Sequence, residues 1–195
     1  MAVRGERLNL DWTRWSDDAG NGTAYLHVFE IGDDGGQVYE GRFDEDDFEG
    51  AYRELERRYY AGEGAAFAEA GATTTDVAIA VIHGDFDRLF GELSTPEMRV
   101  ENRSRSGFPD RPASDLRASL EVLNAMVASA RTWLSSVCWV SPAWSVARLE
   151  RDAVGEDGEQ YAWAELIVFE IRDGRFASMC EFDLEAEGAA FAYAE

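Results

Sequence analysis

The chain has 195 residues, enough for one large or two small domains with a real core. Hydrophobic residues make up 46% and charged residues 29%, but 39 acidic against 18 basic residues leave a formal net charge of −21. Such a surface repels phosphate backbones and anionic headgroups, which excludes DNA, RNA and anionic membranes as expected partners. Every basic residue is arginine; coding bias of a GC-rich genome and adaptation to high salt would both produce that pattern.

"RLNLDWTRW" (7–15) alternates as a strand does, and "LHVFEIGDDGGQVYEGRFD" (26–44) reads as two further alternating strands around a Gly-containing turn, a hairpin. "DEDDFEGAYRELERRYY" (44–60) opens with acids suited to a helix N-terminus, then places Phe48, Tyr52 and Leu55 at helical spacing. "TTDVAIAVIHGDFDRLFGEL" (74–93) predicts two helical pieces broken at Gly84. "EMRVENR" (97–103) predicts a strand and "RSGFPDRP" (105–112) a loop. "ASDLRASLEVLNAMVASA" (113–130) predicts a helix with Ser114 as N-cap. "TWLSSVCWV" and "AWSVARLERD" form a strand pair broken at Ser141-Pro142, and "LIVFEIRDGRFASMCEFD" (166–183) is a second hairpin. Cys138 and Cys180 sit in strand-like stretches without metal-site spacing, so both are expected as reduced core thiols. No charged-then-apolar leader opens the chain and no apolar run approaches ~18 residues, so a cytoplasmic protein is expected.

The two hairpins say nearly the same thing. "VFEI" recurs at Val28–Ile31 and Val168–Ile171, Phe43-Asp44 meets Phe182-Asp183, and Ala51 meets Ala190. From residue 70 onward the order is helix, helix, strand, helix, then four antiparallel strands. With "HGDFDRLFGEL" before a strand, "GFPDRPASDLRASL" as loop and helix, and "FEIRDGRF" as the final hairpin, this part resembles the nuclear-transport-factor-2-like superfamily, which includes ketosteroid isomerases and SnoaL-like polyketide cyclases. The resemblance implies an α+β fold, a cone-shaped curved antiparallel sheet packed on helices with a pocket in its concavity. It places one complete copy at 67–195, preceded at 1–66 by a partial second copy of three strands and a helix.

It also tests the chemistry. Where the ketosteroid isomerases carry a general-base aspartate, "VENR" puts Asn102, and an amide cannot abstract a proton at useful pH. The positions of that family's oxyanion-hole tyrosine and second acid fall near Val77 or Ala78 and near Ile167, so the isomerase mechanism does not carry over. Alternation places Met98, Val100 and Asn102 on one strand face, with Asn102 able to bond a ligand. Trp139 and Trp163 are candidate apolar walls. Glu165, in the company of Tyr161, Trp163, Ile167 and Phe169, is a candidate acid or base if buried, and otherwise a solvated strand-end carboxylate. His83, before Gly84, is a helix-end residue or a pocket group, and Asp110 is a further weak catalytic candidate. Arg103 and Arg105 belong with Arg99, Arg111 and Arg117 to a cluster that would hold an acidic ligand at a pocket mouth, or merely pair with surface acids.

With the isomerase positions lost, the expectation is a non-catalytic small-molecule-binding or interaction module with an aromatic-lined pocket, needing no cofactor and no metal. The alternative is a SnoaL-like enzyme, an isomerase, cyclase or hydrolase acting on a small apolar or aromatic substrate. One ionisable side chain deep in the cone and within hydrogen-bond reach of Asn102 would favour the enzyme. A small apolar or acidic aromatic ligand is the expected partner. A homodimer is expected too, because the N-terminal strands lack a full cone to cover them.

Overall fold

In the computed structural model, which describes residues 1–106 and 108–195, the alternating N-terminal runs fold as an antiparallel sheet of β1 (Ala2–Arg4), β2 (Leu8–Ser16), β3 (Gly22–Ile31) and β4 (Gln37–Asp44), paired in that order. Three strands were expected and four are present. The extra strand exists because Ala2 and Arg4 both point inward, at 2% and 0% exposure. The Arg4 guanidinium donates to Glu56 Oε1 at 2.9 Å and to the Tyr52 hydroxyl at 2.7 Å. Both partners lie on α1 (Phe48–Ala61), whose N-cap Asp47 accepts from the Gly50 amide. Helical spacing aims Ala51, Tyr52 and Leu55 at the sheet, where they meet Leu10, Leu26 and Val28 in full burial. Each large apolar side chain so buried contributes about 1.5–3 kcal/mol. This unit spans Met1–Ala68.

The second unit, Glu69–Glu195, holds the rest. Helix α2 (Ala68–His83) stops at Gly84, whose φ of +65° is the left-handed conformation glycine adopts without strain. A short α3 (Phe86–Arg88), capped by Asp85, runs on as a wider turn through Leu93. Then come β5 (Ser94–Asn102), the two-residue β6 (Arg111–Pro112), α4 (Ala113–Ala125), β7 (Val127–Trp139), β8 (Trp144–Gly155), β9 (Gln160–Arg172), β10 (Arg175–Phe182) and α5 (Glu187–Ala194). The six strands are ordered β6-β5-β10-β9-β8-β7, antiparallel throughout except for the parallel pair β5–β10. The α+β class and the curved antiparallel sheets packed on helices are as the sequence led one to expect. The expected loop at 105–112 includes Gly107, which lies outside the described residues, and ends in β6.

Local readings needed correction in four places. The helix from Ala113 ends at Ala125 rather than 130, because Val127 onward extends the ladder with β8, and sheet pairing overrides local helical preference. Ser114 is not the N-cap; Pro112 stands there, and the Ser114 hydroxyl donates to Asp115. Cys138 is exposed, since β7 turns Val137 and Trp139 inward and Cys138 out, whereas Cys180 is fully buried and burial pushes its thiol up to about 11. The helical stretch Ala65–His83 is, by length and composition, apolar enough to cross a membrane, which the sequence reading had not allowed for. Its Thr74, Val77, Ala78 and Val81 instead face an interior cavity of the folded domain.

The period of two along β9 sets up that cavity. Leu166 and Val168 face one way, packing with Cys180, Phe182 and the α5 residues Ala190 and Ala194. Trp163, Glu165, Ile167, Phe169 and Ile171 face the other way and line the cavity.

Candidate active site

The cavity has a volume of about 300 Å³ and lies between α2, α4 and the face of β7–β10 opposite α5. Its far wall is apolar, built from Leu89, Phe169, Ile171 and Phe176. Phe108 and Leu123, at 61% and 39% exposure, mark its solvent side together with Ser104, Ser106 and Trp163. A volume of this size suits a ligand of one or two rings.

Polar groups are few and gathered at one end. On β9 the Glu165 carboxyl is partly buried, and burial, with Glu181 nearby, pushes it up to about 7, the Arg111 guanidinium acting in the opposite direction. Glu181 on β10, 7% exposed, pairs in register with Ile167, so the two carboxyls are diagonal neighbours across the β9–β10 ladder, about 7 Å apart by strand geometry. Their partners differ. Glu181 accepts from Arg111 Nη2 at 2.7 Å and from Asn102 Nδ2 at 2.6 Å. Burial raises its pKa, and those two donors oppose the rise. No hydrogen bond to the Glu165 carboxyl is recorded among the described residues. A carboxyl that loses or holds its proton near neutrality, beside one fixed by an arginine and an amide, divides acid–base work between two groups. Among the described residues no group of three or more His, Cys, Asp or Glu is placed to hold a metal ion.

The candidates read from the sequence distribute as follows. Glu165 and Trp163 line the cavity. Asn102 stands behind Glu181 rather than on the wall, with its own Oδ1 taken by the Ser104 amide and hydroxyl and its backbone amide donating to Asp110. Met98 and Val100 are buried, at 2% and 1%, but do not line the cavity. Val100 lies in the ladder between Met179 and Arg111, and those longer neighbours form the wall. Trp139 is buried away from the lining, and His83 ends α2 outside it. Asp110 braces the surface by accepting from Arg103, which also pairs with Glu101. Arg105 is spent on Asp183 and Glu185. Of the arginine cluster, only Arg111 lines the cavity, and it faces a carboxylate of its own chain. Sequence reasoning passed over Glu181 and Arg151. The signal was present: Glu181 is two residues beyond Met179 on an otherwise apolar strand face, and Arg151 interrupts the inward face of "WSVARLERD".

Neither a scan against protein-family models nor a search of curated proteins finds a match for this sequence. Solved structures do resemble it. A candidate polyketide cyclase from Streptomyces antibioticus, IdmH, aligns over 64% of this chain and 98% of its own, at TM-score 0.52 and 14% identity. AusH from Aspergillus nidulans aligns over 61% and 93%, with TM-score 0.52 and 14% identity. AclR, a candidate hydroxylase from Streptomyces galilaeus, aligns over 59% and 78%, at 0.52 and 12%. At these identities the likeness is one of fold: the curved-sheet cone of the nuclear-transport-factor-2-like proteins.

Proposed function

We propose that the C-terminal unit is a small-molecule enzyme that moves a proton to or from an apolar or aromatic substrate, as an isomerase or cyclase does, with Glu165 as the proton-transfer group. One observation carries this reading: two carboxyls share one end of an apolar cavity, and only one of them, Glu181, is held by an arginine and an amide. Glu165 is left to titrate near the pH at which a base is most useful. Glu181 also meets the condition set from sequence, an ionisable side chain inside the cone bonded to Asn102. That supports the enzyme over the non-catalytic module. The names of the structural neighbours agree with either, since one fold hosts many activities.

The experiment is proton exchange. With 2-tetralone in deuterated buffer, the protein should speed deuterium incorporation next to the carbonyl, with a rate that rises through about pH 7 as Glu165 ionises. Glu165→Gln should abolish the acceleration. Equal rates with wild type and variant would sink the reading.

We further read the N-terminal unit as a partial copy of the same fold. In its support, Leu26 and Val28 bury against α1 at Ala51 as Leu166 and Val168 bury against α5 at Ala190, with both alanines fully buried.

A further inference from the structure

Arg151 on β8 is 5% exposed and lines the cavity. Its Nη1 donates to Thr132 Oγ1 at 3.2 Å and its Nη2 to Asn124 Oδ1 at 2.7 Å, both neutral acceptors. Its guanidinium carbon lies 5.3 Å from the centre of the Trp163 ring, and its buried Nε has no hydrogen-bond partner. No carboxylate pairs with it among the described residues, unlike Arg4 with Glu56 and Arg111 with Glu181. A guanidinium does not give up its proton in a protein, so this is a buried cation whose counterion is missing. An unspent Nε–H on a planar fork, held in place by Thr132 and Asn124, suits a carboxylate better than a rounder or neutral group.

Register fixes where that carboxylate would sit. Arg151 pairs across the ladder with Trp163, and Leu149, two residues earlier, pairs with Glu165. Successive rungs on one face are about 7 Å apart. We propose that the cavity binds a monocarboxylate with an apolar or aromatic body, its carboxylate on Arg151, its ring system over Trp163 and toward Phe169, and its reactive carbon within reach of Glu165. The last clause rests on the enzyme reading above; the first two do not.

Calorimetric titration with 2-naphthoate and 4-phenylbutyrate, each against its amide, tests the assignment. Wild type should bind each acid about tenfold or more tightly than its amide, the gain of a desolvated charge-assisted pair. Arg151→Gln should bring the acid down to the affinity of the amide and leave the amide unchanged, and Arg151→Lys should keep part of the preference. Without ligand, Arg151→Gln should melt no lower than wild type, because it removes a buried unpaired charge. Equal binding of acid and amide to wild type, no binding of either acid at millimolar concentration, or a large drop in melting temperature for Arg151→Gln would each overturn the inference. Glu165→Gln should retain the acid preference. A protein that keeps this preference but shows no Glu165-dependent proton exchange would lose the proposed function alone.

Discussion

Each unit of this protein buries an arginine against a glutamate, and the two burials have opposite characters. In the N-terminal unit, Arg4 is fully enclosed; burial would lower its pKa, but Glu56 and Tyr52 outweigh that, so the guanidinium stays charged. Its donors go to Glu56, Tyr52 and the Val3 carbonyl, joining β1 to α1. In the C-terminal unit, Arg111 and Glu181 form a similar pair, but it faces about 300 Å³ of open volume and stands beside a second carboxyl with no cation of its own. A buried ion pair therefore does not mark a site by itself. The unpaired ionisable group next to space does.

The largest expected effect tests the closed cluster. Glu56→Ala leaves Arg4 buried without its counterion and should cost about 3–5 kcal/mol in denaturant unfolding, with hydrogen exchange rising first in residues 1–68. A cost below that of Glu181→Ala would break the contrast between the clusters. Next comes Glu165→Gln, which should stabilise. Folded Glu165 keeps its proton up to about pH 7, whereas unfolding lets it go near the ordinary carboxyl value of 4.5. Between those values the folded chain holds the extra proton, so stability falls as pH rises through the window, and the loss is complete above it. The amide variant should therefore be more stable than wild type by about 2–3 kcal/mol at pH 8 and by nothing near pH 4. A pH-independent difference would contradict the assignment.

Smaller effects sharpen the same picture. Asn102→Ala removes one of the two donors to Glu181 and should cost about 1–2 kcal/mol while raising the Glu181 pKa, readable by carbon NMR of the carboxyl. Arg103→Ala and Arg105→Ala should leave the melting temperature and ligand affinity unchanged within error, because both side chains pair with acids on the surface. Weaker acid binding in either would restore the pocket-mouth role.

Strand alternation made the β2–β4 meander, the β7–β8 pair broken at Ser141-Pro142 and the β9–β10 hairpin legible in sequence. It also put Glu165 and Trp163 together on one face. It could not say which face of a sheet buried on both sides meets empty space. Met98 and Val100 satisfied the pattern as well as Met179 and Glu181, and only the strand order β6-β5-β10 tells which side chains reach the wall. Pairings between distant segments were hidden for the same reason. Arg4 with Glu56, and Arg111 with Glu181, join elements 52 and 70 residues apart, and no local signal announces such a partner.

The parallel pairing of β5 with β10 has a consequence for the order of folding. The hairpins β7–β8 and β9–β10 close over short loops, so they can form early and cheaply. Joining Asn102 to Glu181 closes a span of 79 residues, and it must wait until the helix and the three strands between them are in place. The same late closure brings Arg111 to Glu181. A partly folded chain thus carries both carboxyls on one hairpin with nothing to tell them apart, and the difference in their acidities arises only in the final step of assembly.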